Sequence, residues 1–226
     1  MRLGALLYPP KCAFCGRLLV EDDTEEEICP DCLESLPWTG RDAVTRGSWF
    51  SACVSPLYYR TGARQGLLRF KFRKRSAAGR CFGRLMARCV KAQDTWSIDL
   101  ITYVPLSFLR FRKRGYSQSR LLAESVAAEL GLPCLRLLRK RRHTKPLFGV
   151  KGDDRRRAVV SGAFALRRGA EERVADKCVL LVDDVITSGA TLGECSRLLL
   201  TAGADRVVCT TLCKAKQKKR GTAETV

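Results

Sequence analysis

An α/β domain built on a parallel sheet, with a small cysteine-held module ahead of it, is the fold class that the sequence predicts. Three observations predict it. Val179-Leu180-Leu181-Val182 is an unbroken apolar run closed by Asp183-Asp184, and such a run reads as a strand buried on both faces. A loop of Thr187, Ser188, Gly189, Ala190 and Thr191 follows, and Leu192 to Leu200 then sets apolar residues at helical spacing. Strand, acid pair, small-residue loop and helix in this order are how a parallel sheet builds a ligand site at a strand's carboxyl end. Second, Cys12-Ala13-Phe14-Cys15 and Cys29-Pro30-Asp31-Cys32 form two C-x-x-C pairs thirteen residues apart. Third, 226 residues that are 46% hydrophobic make a globular chain with room for one ordinary domain and a small appendage.

From the amino end, Leu3 to Tyr8 is too short an apolar run for a secretion signal, and no small-residue cleavage site follows before Pro9-Pro10. No stretch approaches the ~20 apolar residues of a membrane span. The expectation is a cytoplasmic protein. Residues 1–50 are read as a metal-holding module and its connector. Two C-x-x-C knuckles bring four thiolates around one tetrahedral Zn²⁺, with Cys12, Cys15, Cys29 and Cys32 as ligands. Leu18-Leu19-Val20 is read as the first strand of a hairpin, Glu21 to Thr24 as its turn, and the segment into Ile28 as its return. A redox pair is the rival reading, but neither C-x-x-C sits in a βαβ context. Four thiolates leave no open coordination position, so the zinc is structural.

The other eight cysteines, Cys53, Cys81, Cys89, Cys134, Cys178, Cys195, Cys209 and Cys213, lie among apolar neighbours. They read as small hydrophobes in a reducing compartment. The single histidine, His143, sits in a basic loop, so a Cys-His catalytic pair is not indicated. The main domain is placed at 51–214. Ala52 to Tyr59 reads as a strand broken by Pro56, which suggests a sheet edge. Helical patterns run from Gly62 to Arg75 and from Ala77 to Ala92. Arg69 to Arg75 (RFKFRKR) interleaves bases and aromatics as a single-strand groove does. The pattern fits more readily an aromatic pair facing the core from a solvated basic helix.

Asp99 to Pro105 reads as the next strand, and LRFRKRGYSQ (109–118) as a strand-to-helix turn with Ser117 as N-cap. Its cations Arg112, Lys113 and Arg114, with the backbone near Val104-Pro105-Leu106, form a candidate anion cradle. Cys134 to Leu138 reads as a short strand, and Arg139 to Arg157 as a long basic connection of the kind that serves as a lid or binding segment. Phe164-Ala165-Leu166 is read as a brief strand, Arg167 to Lys177 as a polar turn, Arg206 to Cys213 as a final strand, and 215–226 as a basic tail.

The residue types after the long apolar strand carry chemistry. The start of a helix offers backbone N–H groups without intrahelical partners and a partial positive charge. Thr187, Ser188, Gly189, Ala190 and Thr191 add hydroxyls and no bulk, which makes a phosphate cup. Asp183 and Asp184 repel an anion; they suit a pair of vicinal hydroxyls, or a Mg²⁺ held through water. A phosphate beside a diol is a phosphorylated ribose. The formal charge of +19, from 42 basic and 23 acidic residues, points further to an anionic partner, whether nucleic acid, phosphorylated metabolite or acidic protein.

VLLVDDVITSGAT (179–191) resembles the phosphoribosyl-pyrophosphate (PRPP) signature of type I phosphoribosyltransferases. The resemblance implies that Asp183 and Asp184 hold the ribose hydroxyls, that Val185 and Thr187 to Thr191 wrap the 5′-phosphate, and that Mg²⁺ accompanies PRPP. The order of parts resembles the ComF family of competence proteins, in which a zinc finger precedes a phosphoribosyltransferase-like domain. It matches at Arg114, Gly115, Gln118, Arg139, Thr144, Arg156, Gly162, Ala163 and Phe164. It departs where Leu147 and Val159 replace side-chain amides and where Tyr116-Ser117 replaces Phe-Asn. The family implies a role in DNA uptake and in handling incoming single-stranded DNA; as a binding module, the same fold would hold single-stranded DNA or a helicase-type partner on its phosphate loop and basic surface. The alternative is an active phosphoribosyltransferase of nucleotide metabolism with an unidentified acceptor, in which Asp183 and Asp184 are catalytic.

Overall fold

A computed structural model describes residues 10–19, 27–72, 76–142 and 153–215. A short helix α1 (Pro30–Ser35) leads to strands β1 (Val44–Thr45), β2 (Cys53–Val54) and β3 (Leu57–Tyr58), and to helices α2 (Thr61–Phe72) and α3 (Ala78–Lys91). Strand β4 (Leu100–Tyr103), helices α4 (Phe108–Arg114) and α5 (Gln118–Leu130), and strand β5 (Leu138–Lys140) come next. Helix α6 (Asp153–Val160), strand β6 (Phe164–Leu166), helix α7 (Ala170–Val174), strand β7 (Cys178–Ile186), helix α8 (Ala190–Thr201) and strand β8 (Arg206–Lys214) follow.

The apolar run is the middle of the sheet, as its composition demands. The order is β1-β2-β8-β7-β4, with β3 also paired to β8. Only the β1–β2 pairing of this sheet is antiparallel. Val179 and Leu181 enter the core on one side, and Leu180 and Val182 the core on the other. All four are fully buried, each burial contributing roughly 1.5–3 kcal/mol. Helices α3 and α5 cover one face; α6, α7 and α8 cover the other. Strands β5 and β6 form a separate antiparallel pair. Among the described residues no helix is long and apolar enough to cross a membrane.

Several expectations are revised. Pro56 splits the expected strand at 52–59 into β2 and β3. β2 is not at the edge, because Val44 and Thr45 of the expected connector pair with it on its outer side. Its ladder pairs fall at Cys53 and Val54, ahead of the proline's missing N–H. The expected turn at 109–118 contains helix α4, because Arg, Lys, Leu and Phe there carry no breaker until Gly115, which ends it at φ 80°. Ser117 does precede α5, but its hydroxyl makes no capping bond. Helix α7 lies within the expected polar turn at 167–177, and β5 and α6 take up the two ends of the long basic connection. His143, Thr144 and Leu147, the hairpin turn at 21–24, the amino-terminal run to Tyr8 and the tail from residue 216 lie outside the described residues.

Candidate functional site

A cleft of about 480 Å³ opens at the carboxyl ends of β4 and β7. The parallel register sets Tyr103 against Val182, and the amide of Val104 donates to the Val182 carbonyl at 3.0 Å. Val104-Pro105-Leu106 therefore runs beside Asp183 and Asp184, and both segments line the cleft. Asp183 is half-buried, and its Oδ1 accepts the amide N–H of Asp184 at 2.9 Å. Burial, and then the adjacent Asp184 charge, push its carboxyl up to about 7. Asp184 Oδ2 lies 2.7 Å from Nζ of Lys71, in the last turn of α2, with both side chains only 17% exposed.

The hydroxyl-rich loop turns at Gly189, whose φ of 76° and ψ of 0° are left-handed and strained for any residue with a Cβ. No side chain caps α8. Its first turn closes with Gly193 N–H donating to the Gly189 carbonyl at 2.7 Å, so the amides of Ala190, Thr191 and Leu192 have no intrahelical acceptor. Ala190 N–H reaches only Ser188 Oγ, at 3.5 Å. Val185, Thr187 and Thr191 share the cleft with the two aspartates. Thr187 also lines a second cavity of about 740 Å³ across the loop, together with Ser188, Gly189 and Ala190. The hydroxyl-rich loop is thus open on both sides.

The anion-cradle cations separate. Arg114 lines the cleft, half-buried, donating to Gln118 Oε1 at 2.7 Å and lying 4.9 Å from the Phe72 ring centroid. Burial lowers its pKa, while Asp184 favours its charged form. Arg112 is exposed, 5.8 Å from the Phe108 ring centroid, and does not line the cleft. The Lys113 side chain lies outside the described residues. Arg64, Lys71, Arg110 and Lys140 complete the cationic wall. Arg110 was legible in principle, since it precedes Arg114 by four residues and a helix puts such pairs on one face. Lys140 comes from β5, 4.8 Å over the Phe164 ring centroid, with its pKa lowered by burial and then by Arg110. Lys71 lies in the RFKFRKR run and Lys140 in the long basic connection, but neither stretch singles out the one lysine; the packing of β5 and α2 brings them here. Val159 is half-buried on α6.

The four knuckle cysteines converge: the Sγ atoms of Cys12, Cys15, Cys29 and Cys32 lie within 4.8 Å of one another. A Zn–S bond of about 2.3 Å places tetrahedral sulfurs roughly 3.8 Å apart, so the set fits structural zinc. The amide of Arg17 reaches Cys15 Sγ at 3.4 Å, a contact that tunes a thiolate ligand. The remaining cysteines are free thiols among apolar residues. Burial pushes Cys53 up to about 12 and Cys134 to about 11, so they pack rather than react. A Mg²⁺ bound by the acid pair fits poorly. It needs several oxygen ligands, yet one Asp184 oxygen is engaged by an ammonium and five cations surround the two carboxylates.

Residues 116–224 match the phosphoribosyl transferase domain and residues 3–43 the double zinc ribbon domain. Over 203 residues the chain is 32% identical to competence protein F of Haemophilus influenzae, spanning 88% of this chain and 82% of that protein. The chain belongs to the competence protein F (ComF) family. DNA utilization protein YhgH of Escherichia coli is 29% identical over 222 residues, covering 90% of this chain and 89% of its own. Competence protein ComFC of Streptococcus pneumoniae is 26% identical over 188 residues, covering 80% and 78%. This ComF chain therefore joins a zinc ribbon to a phosphoribosyltransferase-type α/β domain.

Proposed function

We propose that this ComF protein acts in DNA uptake, handling incoming single-stranded DNA, and that its cleft holds PRPP or another phosphorylated ribose. One observation carries the reading: Asp183 and Asp184 share one open cleft with Thr187 and Thr191, and Arg64, Lys71, Arg110, Arg114 and Lys140 line the same cleft. In this reading the ribose hydroxyls donate to the two carboxylates, and the 5′-phosphate accepts from the loop hydroxyls and the first amides of α8. Arg110, Arg114 and Lys140 face the phosphates at the other end. The Lys71 ammonium on one Asp184 oxygen competes with a chain-held Mg²⁺, and the reading does not require one.

The DNA contact belongs to the rim. Phe108, Phe111 and Phe72 are 70%, 47% and 57% exposed, unusual for large rings unless a partner covers them. Arg112 lies over Phe108 and Arg114 over Phe72. Exposed rings between cations suit single strands, where base stacking contributes roughly 1–3 kcal/mol per base. The apolar wall of Val160, Leu106 and Phe164 beside the aspartates favours a second reading, phosphoribosyl transfer to a planar acceptor. Pyrophosphate release against a panel of bases and oligonucleotides tests it.

The first reading is tested by a PRPP titration followed by thermal unfolding, with magnesium present. The wild type is stabilised by PRPP, and Asp183→Asn combined with Asp184→Asn loses that stabilisation while still binding a single-stranded oligonucleotide. A double variant still protected by PRPP would place the ligand elsewhere.

A further inference from the structure

The Lys71–Asp184 contact stands where a divalent cation is expected. We infer that Lys71 is the cleft's built-in counter-charge, bridging Asp184 and the ligand's phosphates so that a phosphorylated ribose binds without divalent metal. The inference rests on the cleft reading above.

Several observations converge on this one side chain. Its Nζ is 2.7 Å from Asp184 Oδ2, and both groups are largely shielded from water. An ammonium has three N–H donors and no acceptor; with one directed at Asp184, two remain for ligand oxygens in the cleft that Lys71 lines. The two residues before it are pinned. The Arg69 guanidinium donates to the Phe14 carbonyl, and the Tyr116 hydroxyl donates to the Phe70 carbonyl. Phe70 itself is fully buried, 5.4 Å from Phe82 and 5.8 Å from Tyr116 between ring centroids. A lysine so anchored is aimed rather than loosely tethered.

The surrounding charge points the same way. Among the described residues lining the cleft, Arg64, Lys71, Arg110, Arg114 and Lys140 oppose only Asp183 and Asp184, and burial favours the neutral form of Asp183. A free divalent ion entering this field meets repulsion and few oxygen ligands. A highly anionic phosphate ester meets the opposite. A metal normally supplies such an ester with charge neutralisation and a bridge to the carboxylates; Lys71 supplies both from the chain.

The test is calorimetric titration of the zinc-loaded full chain with the sodium salt of PRPP. One buffer is stripped of free divalent ions by a chelating resin, which avoids the strong chelators that would take the zinc; the other contains magnesium chloride. Wild type binds with similar affinity in both. Lys71→Ala weakens by about tenfold or more in the metal-free buffer, the scale of one charge-assisted hydrogen bond, and recovers when magnesium is added. Lys71→Arg keeps metal-free binding. Wild-type binding that appears only with magnesium overturns the lysine's role and leaves the cleft reading standing. Unchanged metal-free binding by Lys71→Ala overturns it too, and no wild-type binding in either buffer overturns both. Should Lys71→Ala fail to fold, Lys71→Met, which keeps the length of the side chain without its charge, takes its place in both titrations and is read the same way.

Discussion

Asp183 and Asp184 are adjacent in sequence yet carry different charge burdens, because Lys71 contacts one of them and burial weighs on the other. With its carboxyl raised from 3.8 to about 7, folded Asp183 keeps a proton that the unfolded chain releases at lower pH. Its contribution to stability therefore falls as pH rises from 3.8 to about 7, and the loss is complete above that value. Asp183→Asn should raise the unfolding temperature at pH values above 7 and leave it unchanged at acid pH, an effect of ~1 kcal/mol or more. Binding has the opposite dependence. Ribose hydroxyls need the ionised acceptor, so wild-type PRPP affinity should increase as the buffer pH is raised through about 7. Titrations at several pH values check this, and a flat profile would mean that Asp183 accepts no ligand hydroxyl. The acid pair and its loop are legible in the sequence because strand, carboxylates and helix start are contiguous. Lys71 and Lys140 are not, since their role arises only when remote elements fold against that strand.

At the scale of elements, α4 shows why part of the site stayed hidden. Read as a turn, RFRKRG offers three equivalent cations at 112–114. Wound as a helix, it sends Arg110 and Arg114 to the cleft and leaves Arg112 with Phe108 and Phe111 on the exposed side. The helix depends on Gly115 to stop it and on no side-chain cap to start it, signals too weak to read in isolation. Phe108→Ala with Phe111→Ala should weaken oligonucleotide binding by roughly 1–3 kcal/mol for each base that no longer stacks, without changing its salt slope. Arg112→Ala should instead reduce that slope by about 0.7 for each phosphate that the guanidinium neutralises. Fluorescence anisotropy over a salt series separates the two. The start of α8 makes an independent case. Gly189→Ala forces a Cβ into the left-handed region, costing roughly 1–2 kcal/mol, and the resulting change in loop shape should lower PRPP affinity more than oligonucleotide affinity.

Across the whole molecule, the zinc ribbon and the cleft share a core that spacing alone does not disclose. The C-x-x-C pairs announce a metal module, and the sheet order follows from strand composition, but the packing of one on the other rests on shape. Phe14, inside the first knuckle, is fully buried with its ring centroid 5.0 Å from that of Phe82. Phe82 meets Phe70 on α2, and Phe70 meets Tyr116 in the turn that leads into α5. The α2 backbone passes so close to Phe14 that a Cβ at Gly66 would lie 2.7 Å from its ring. The ribbon therefore braces the helix that delivers Lys71. Phe14→Ala should destabilise the protein by roughly 3–5 kcal/mol and weaken PRPP binding, although Phe14 is not one of the four ligand cysteines and its side chain does not line the cleft. Zinc chelation should do the same, because the four thiolates hold the knuckle that presents Phe14. The two perturbations should also be non-additive, since both act by releasing α2. PRPP titrations of wild type and Phe14→Ala, each with zinc bound and removed, measure that coupling. Additive effects would mean that metal and ring support the cleft by separate routes.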